Sequence, residues 1–205
     1  MTHAYDKNYL PKAQIAIGDM LHFATSDLHW LPEKFWKAFI STGVAYSAYL
    51  GEPRLIAGKS GIEIAYEVYY ILTGCECDVA PSPNFDRSPE YFAGWSIAYY
   101  SWYKNMDYNE IDKYLSISEI IAMYTPYHEM DVTQFVDEAD RLITNCMNTP
   151  MLRQLRSYAN LTQKQLAERS GVSQRMIEQY EQGRKDLNHA SVSTVYALAN
   201  ALGCD

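Results

Sequence analysis

The chain has 205 residues, 48% hydrophobic and 20% charged, which is enough apolar content to bury a core and too much for a disordered chain. No apolar run approaches the roughly 18 residues that a membrane span needs, and the start, Met1 to Lys7, lacks the basic-then-apolar order of a signal peptide. Neither a membrane nor a secreted protein is expected, and the cytoplasm is the expected location. The net charge of −8 is unevenly placed: residues 1–149 hold ten basic and twenty acidic side chains, net −10, whereas residues 150–205 hold seven and five, net +2. An acidic body and a mildly basic C-terminal part point to two modules with different partners.

From the N-terminus, Ile17, Met20, Leu21, Ala24 and Leu28 recur at helical spacing and predict a helix over Ala13 to Leu28. This stretch places His22 and His29 on one helical face with Asp19 and near Asp27, but two turns part the imidazoles, so no metal site is expected. Pro32 suits a first helical position, and Phe35, Trp36, Phe39 and Ile40 form an apolar stripe. Gly43 closes that helix, and a short one is expected over Val44 to Leu50. Gly58-Lys59-Ser60-Gly61 reads as a turn, with Ser60 capping a helix from Ile62 to about Leu72.

Thr73 to Pro89, with Pro81, Pro83, Asn84 and Pro89, reads as a long loop. It holds Cys75-Glu76-Cys77, a C-x-C pair with no second pair to complete a zinc site. Four cysteines are too few for a disulfide scaffold, and no cofactor motif is present. Ser88 then caps a helix with Pro89 at its first position. Tyr91, Phe92, Trp95, Tyr99, Tyr100, Trp102 and Tyr103 crowd it, more aromatics than one helical face can bury. Core packing accounts for most of them, and the remainder suits an interface. Ser116-Ile117-Ser118-Glu119 has capping-box form, and Asp131 or Thr133 opens a helix through Phe135, Val136, Ala139, Leu142 and Ile143. Nothing in residues 1–149 joins a nucleophile to a base or a Gly-rich phosphate loop, so no enzyme is expected. Asn148-Thr149-Pro150 is the expected module boundary, giving 1–149 and 150–205.

The last module carries the sharpest signal. Leu152, Leu155 and Tyr158 space one helix. Thr162 caps a second that runs through Leu166 to Ser170, and Gly171-Val172-Ser173 is a tight turn. Ser173 caps a third helix over 174–182, Gly183 stops it, and Val192 to Leu202 forms a last one ending at Gly203. A helix, a three-residue turn with Gly, and a second helix make the helix-turn-helix layout. At about 100° per residue, Gln174, Arg175, Glu178 and Gln179 share one arc of the third helix, and Met176, Ile177 and Tyr180 lie opposite. Gln can bond bidentately to adenine and Arg to guanine in the major groove. Glu178 could accept from cytosine N4, though a solvated, helix-stabilising role is the plainer reading.

Leu161-Thr162-Gln163-x-x-Leu166-Ala167-x-x-Ser170-Gly171-Val172-Ser173, followed by Ile177-Glu178-Gln179-x-Glu181-x-Gly183-Arg184, resembles the DNA-binding domain of the phage repressor and Cro superfamily, often termed XRE-type. The resemblance implies an all-α chain with a helical N-terminal module and a five-helix, lambda-repressor-like domain whose third helix lies in the major groove of a double-stranded DNA operator. It implies a phosphate contact for Gln163, base contacts for Gln174, Arg175 and Gln179, and backbone contacts for Ser173, Arg184 and Lys185. It also implies a structural ion pair between Arg156 and Glu181. Two half-sites require a homodimer. With the chain stopping at Asp205, pairing is expected from residues 1–149. More faintly, Ser60 to Glu63, Gly94 to Tyr103 and Tyr127 to Asp131 resemble uncharacterised bacterial regulators, some of them antitoxins. The expected function is a DNA-binding transcriptional repressor; the alternative is an antitoxin that neutralises a cognate toxin through residues 1–149 and represses its own promoter.

Overall fold

The structure, a computed structural model, describes residues 3–83 and 87–204. Asn84 of the expected long loop lies outside the described residues, as do Met1, Thr2 and Asp205. Among the described residues the chain is all α-helical, with no strand. It divides into two units, Met1–Ile143 and Thr144–Asp205. The division falls a few residues before Asn148-Thr149-Pro150.

The first unit is built from α1 (Leu10–Ser26), α2 (Pro32–Ser41), α3 (Val44–Tyr49), α4 (Pro53–Ile56), α5 (Gly61–Thr73), α6 (Pro89–Lys104), α7 (Tyr108–Asp112), α8 (Ile117–Ala122), α9 (Tyr124–Tyr127) and most of α10 (Val132–Asn148). Helix α1 is its axis, packed most extensively on α6 and then on α5. Glycine makes those crossings close. A Cβ at Gly61 would stand 2.3 Å from the Ala16 carbonyl oxygen and 2.5 Å from the Met20 nitrogen, and one at Gly94 would stand 2.4 Å from the Ile17 carbonyl oxygen. The backbones therefore touch, and Met20, Leu21, Phe23, Ile64, Ala65, Ala93 and Ile97 fill the space beside the contacts. Aromatic rings pack into the same core. Trp36 packs 5.2 Å from Phe39 and 5.6 Å, edge to face, from Tyr108.

Local chemistry sets the helix ends. The Ser60 and Ser116 hydroxyls accept from the backbone N–H groups of Glu63 and Glu119, whose carboxylates accept in return from the serine N–H groups, completing two capping boxes. Ser88 caps α6, with Pro89 at its first position. The Asp131 carboxylate accepts from Thr133 N–H at 2.9 Å, at the start of α10. Two short helices, α4 and α7, have too few turns for periodicity to reveal. Asp107 caps α7 by accepting from Glu110 N–H at 2.9 Å, and Asp112 at its end pairs with Lys37.

One expected juxtaposition fails. Helix α1 ends at Ser26, and His29 lies beyond it with φ of 55°, so His22 and His29 do not share a helix. His22 is within hydrogen-bond distance of Ser88 Oγ, at 2.8 Å. Among the described residues no three His, Cys, Asp or Glu side chains group as metal ligands, and no helix is long and apolar enough to cross a membrane. The aromatics of α6 divide between core and surface. Tyr91, Tyr100 and Trp102 are buried, Phe92, Trp95 and Tyr99 half-buried, and Tyr103 exposed. Tyr100 donates to Asp140 Oδ1 at 2.8 Å, and Lys104 pairs with the other oxygen at 2.5 Å. Burial, followed by the hydrogen bond to Asp140 and then its charge, holds the Tyr100 hydroxyl well above its ordinary pKa.

Candidate nucleic-acid interface

The second unit holds α11 (Met151–Tyr158), α12 (Gln163–Ser170), α13 (Gln174–Glu181) and α14 (Val192–Leu202), with a short 3-10 turn over Leu187–His189. Beyond the end of α10, its described residues thus form four α-helices and one 3-10 turn. Its core is six buried side chains: Leu152, Leu161, Leu166, Ile177, Tyr180 and Leu198. So small a core supplies limited stabilisation, and polar devices carry much of the definition. Thr162 caps α12 in a capping box with Gln165, and the Ser173 hydroxyl accepts from Met176 N–H at 3.3 Å to cap α13. Between them Gly171 takes φ of 71°, a left-handed conformation that glycine adopts without Cβ strain. Cap, turn and cap together fix how α13 leaves α12.

On α13, Ile177 and Tyr180 are buried and Met176 packs partly against the core. The opposite face presents Gln174, Arg175 and Glu178, all exposed, with Gln179 half-buried. Glu178 Oε1 accepts from Gln182 Nε2 at 3.0 Å, one turn on, so its carboxylate is engaged along the helix surface. After α13, Gly183 reverses the chain at φ of 66°. The N–H groups of Arg184 and Lys185 then donate to the Gln179 carbonyl at 2.9 and 3.1 Å. Both cations therefore sit at the C-terminal end of α13, where the helix dipole also favours positive charge. Among the described residues no carboxylate pairs with Arg175, Arg184 or Lys185, which leaves three cations available around one exposed amide-rich face.

Arg156 and Glu181 form a bidentate pair, with Nε to Oε1 at 2.6 Å and Nη2 to Oε2 at 2.9 Å. The Glu181 side chain is only 2% exposed. Arg156 Nη1 also donates to the Leu161 carbonyl at 2.7 Å, so one guanidinium joins the ends of α11 and α13 to the start of α12. Burial would raise the Glu181 pKa, but hydrogen bonds from Arg156 and Gln163 outweigh it and hold the carboxyl below the usual range. The Gln163 contact is new relative to the sequence reading: its Nε2 donates to Glu181 Oε2 at 2.8 Å. This leaves the amide oxygen with no partner among the described residues and ties the first residue of α12 to the buried pair. A glutamine at a helix start gives no sequence signal of such a tie; only the fold brings residues 163 and 181 together.

Tyr158, counted in the apolar spacing of α11, is 80% exposed. The helix has ended by Ala159, and Asn160 turns the chain away at φ of 53°.

A family model for a helix-turn-helix domain matches residues 151–205, so the C-terminal unit is a helix-turn-helix domain by sequence as well as by geometry. Neither the curated proteins nor the solved structures yield a match to the chain.

Proposed function

We propose that the chain is a cytoplasmic, sequence-specific DNA-binding regulator of the phage repressor and Cro type, a repressor acting as a dimer, with 150–205 reading DNA and 1–149 serving dimerisation and partner or signal. The observation that carries this reading is the exposed face of α13. Gln174 and Arg175 stand at its first two positions, outside the buried Ile177 and Tyr180, with unpaired cations at its far end. In the major groove the amide and guanidinium groups can reach base edges, while Ser173, Arg184, Lys185 and the free oxygen of Gln163 lie outside the core, where they can meet the sugar–phosphate backbone or its hydration. The −10 charge of residues 1–149 keeps that part off the duplex. For pairing, α14 supplies support of its own. Val192, Val195 and Tyr196 lie at i, i+3 and i+4 on one helical face, with Val192 86% and Tyr196 68% exposed.

The test is selection of duplexes from a randomised library by the full chain. Enrichment of a two-fold symmetric sequence with half-sites about ten base pairs apart supports the reading; no enrichment over random duplex at any salt concentration contradicts it. The antitoxin reading draws its support from the acid excess of residues 1–149, which would attract a basic protein. A stoichiometric basic partner co-purifying with the full chain favours it.

A further inference from the structure

The first unit contains a cavity of about 260 Å³ between α6, α9 and the start of α10. Phe92, Trp95, Tyr124 and Phe135 form its walls. Phe92 stands edge-to-face with both Tyr124, at 5.7 Å, and Phe135, at 6.0 Å. Two polar residues, Ser96 and Arg87, line the space. Ser96 is fully buried, and its Oγ has no hydrogen-bond partner. A buried hydroxyl left unsatisfied is unfavourable, and a mid-helix serine ordinarily bonds the carbonyl one turn back; this one does not. At the mouth, the Arg87 guanidinium lies 5.0 Å from the Tyr91 ring centroid, and among the described residues no carboxylate forms an ion pair with it. Asp19 lies within its electrostatic reach. His128 stacks on Tyr124 at 4.3 Å and donates from Nδ1 to the Tyr124 carbonyl at 2.9 Å, which fixes its ring as part of the rim.

We propose that this cavity is a ligand site for a small planar aromatic carboxylate that carries a hydroxyl or amine on its ring. The volume admits on the order of ten non-hydrogen atoms, given roughly 30 Å³ for each water-sized volume. Ring walls in edge-to-face array favour a flat aromatic body over a sugar or a long chain. The unpaired guanidinium selects an anion, and a planar carboxylate matches its fork. The buried Ser96 hydroxyl selects a ring substituent that donates or accepts. The helix stretch 94–103 and the segment 127–131, which the DNA-reading face leaves unused, come together here. The site gives the first unit a sensing role that stands whether or not α13 reads bases.

The experiment is calorimetric titration of the full chain with 4-hydroxybenzoate, 4-aminobenzoate, benzoate and uncharged 4-hydroxybenzamide. Saturable binding of the first two at one per chain is expected, with benzoate and the benzamide each at least about tenfold weaker. Arg87→Gln should weaken the three carboxylates by about tenfold or more and leave the benzamide unchanged. Ser96→Ala should erase the difference between 4-hydroxybenzoate and benzoate. It should not lower the melting temperature, since it removes a hydroxyl that has no partner. No saturable heat from any of the four at millimolar concentration overturns the proposal, as does binding that neither substitution alters. A Ser96→Ala variant that melts well below the parent overturns the claim that the hydroxyl serves a ligand.

Discussion

The first unit brings its helices together by letting backbones touch at glycines and then fills a wide apolar interior. The second has six buried apolar side chains and defines its geometry with caps, left-handed turns and one buried ion pair. The contrast teaches where each part is vulnerable. A steric intrusion should ruin the first unit, whereas loss of a single polar partner should ruin the second. The two can be followed separately, because all four tryptophans, Trp30, Trp36, Trp95 and Trp102, lie in the first unit. Tryptophan fluorescence reports that unit alone, while far-ultraviolet dichroism reports both.

The largest effect should come from Gly61→Val. Its side chain would enter the space held by the Ala16 carbonyl and the Met20 nitrogen, and backbone cannot yield as a flexible side chain does. A loss of about 4 kcal/mol or more is expected in the fluorescence-detected denaturant transition. A loss under about 1 kcal/mol would show that the α1–α5 crossing is not close-packed in solution.

Next is Arg156→Ala, which strands a nearly buried carboxylate. A cost of about 3–5 kcal/mol at neutral pH is expected in the dichroism transition, with the fluorescence transition unmoved. The pH dependence has a definite sign. Glu181 has a lowered pKa in the folded chain, so its contribution is fully present above the unfolded value of about 4.3 and is lost as pH falls through the folded value. In the variant, burial dominates and the Glu181 pKa rises, so protonation relieves the stranded charge. The gap between parent and variant should therefore begin to narrow as pH falls through the variant's raised Glu181 value, above about 4.3, and narrow further below about 4.3 as the parent loses its own contribution. A gap that is constant from neutral to acid pH would assign the pair no electrostatic role.

Smaller again is the cap comparison. Ser60→Ala and Thr162→Ala each remove a capping-box hydroxyl, at about 1 kcal/mol. The same loss should shift the second unit's transition proportionately further, because that unit has less stability in reserve. Equal proportional shifts would erase the contrast between the units.

Much of this was legible in the sequence, and the reasons are local. Ser60, Ser88, Ser116, Thr162 and Ser173 announce helix starts because a cap is a contact between residues two or three apart. Gly171, Gly183 and Gly203 announce helix ends because a positive φ is a property of one residue. Gly61 was misread. It looks like part of a turn, yet it is the first residue of α5 and is small because α1 passes over it, a reason that lies some forty positions away. Helices α4 and α7 are too short for periodicity, although the Asp107-x-x-Glu110 spacing hints at the second. The candidate interface was legible as a face of α13, since 100° per residue sorts Gln174 and Arg175 from Ile177 and Tyr180. The tie from Gln163 to Glu181 and the unpartnered Ser96 were not legible, because both depend on which distant elements meet.

The central claim is that α13 reads bases while Gln163 contacts the backbone. Its most direct test measures fluorescence anisotropy of the full chain, and of Gln174→Ala and Gln163→Ala, on the selected duplex and on each of its single-base variants. The account predicts that Gln174→Ala loses about 1–3 kcal/mol on the selected duplex and no longer discriminates at one base position. It predicts that Gln163→Ala weakens every duplex alike and lowers the salt dependence little, since an amide releases no counterion. Equal losses on all duplexes for Gln174→Ala would contradict the assignment of α13 as the base-reading helix.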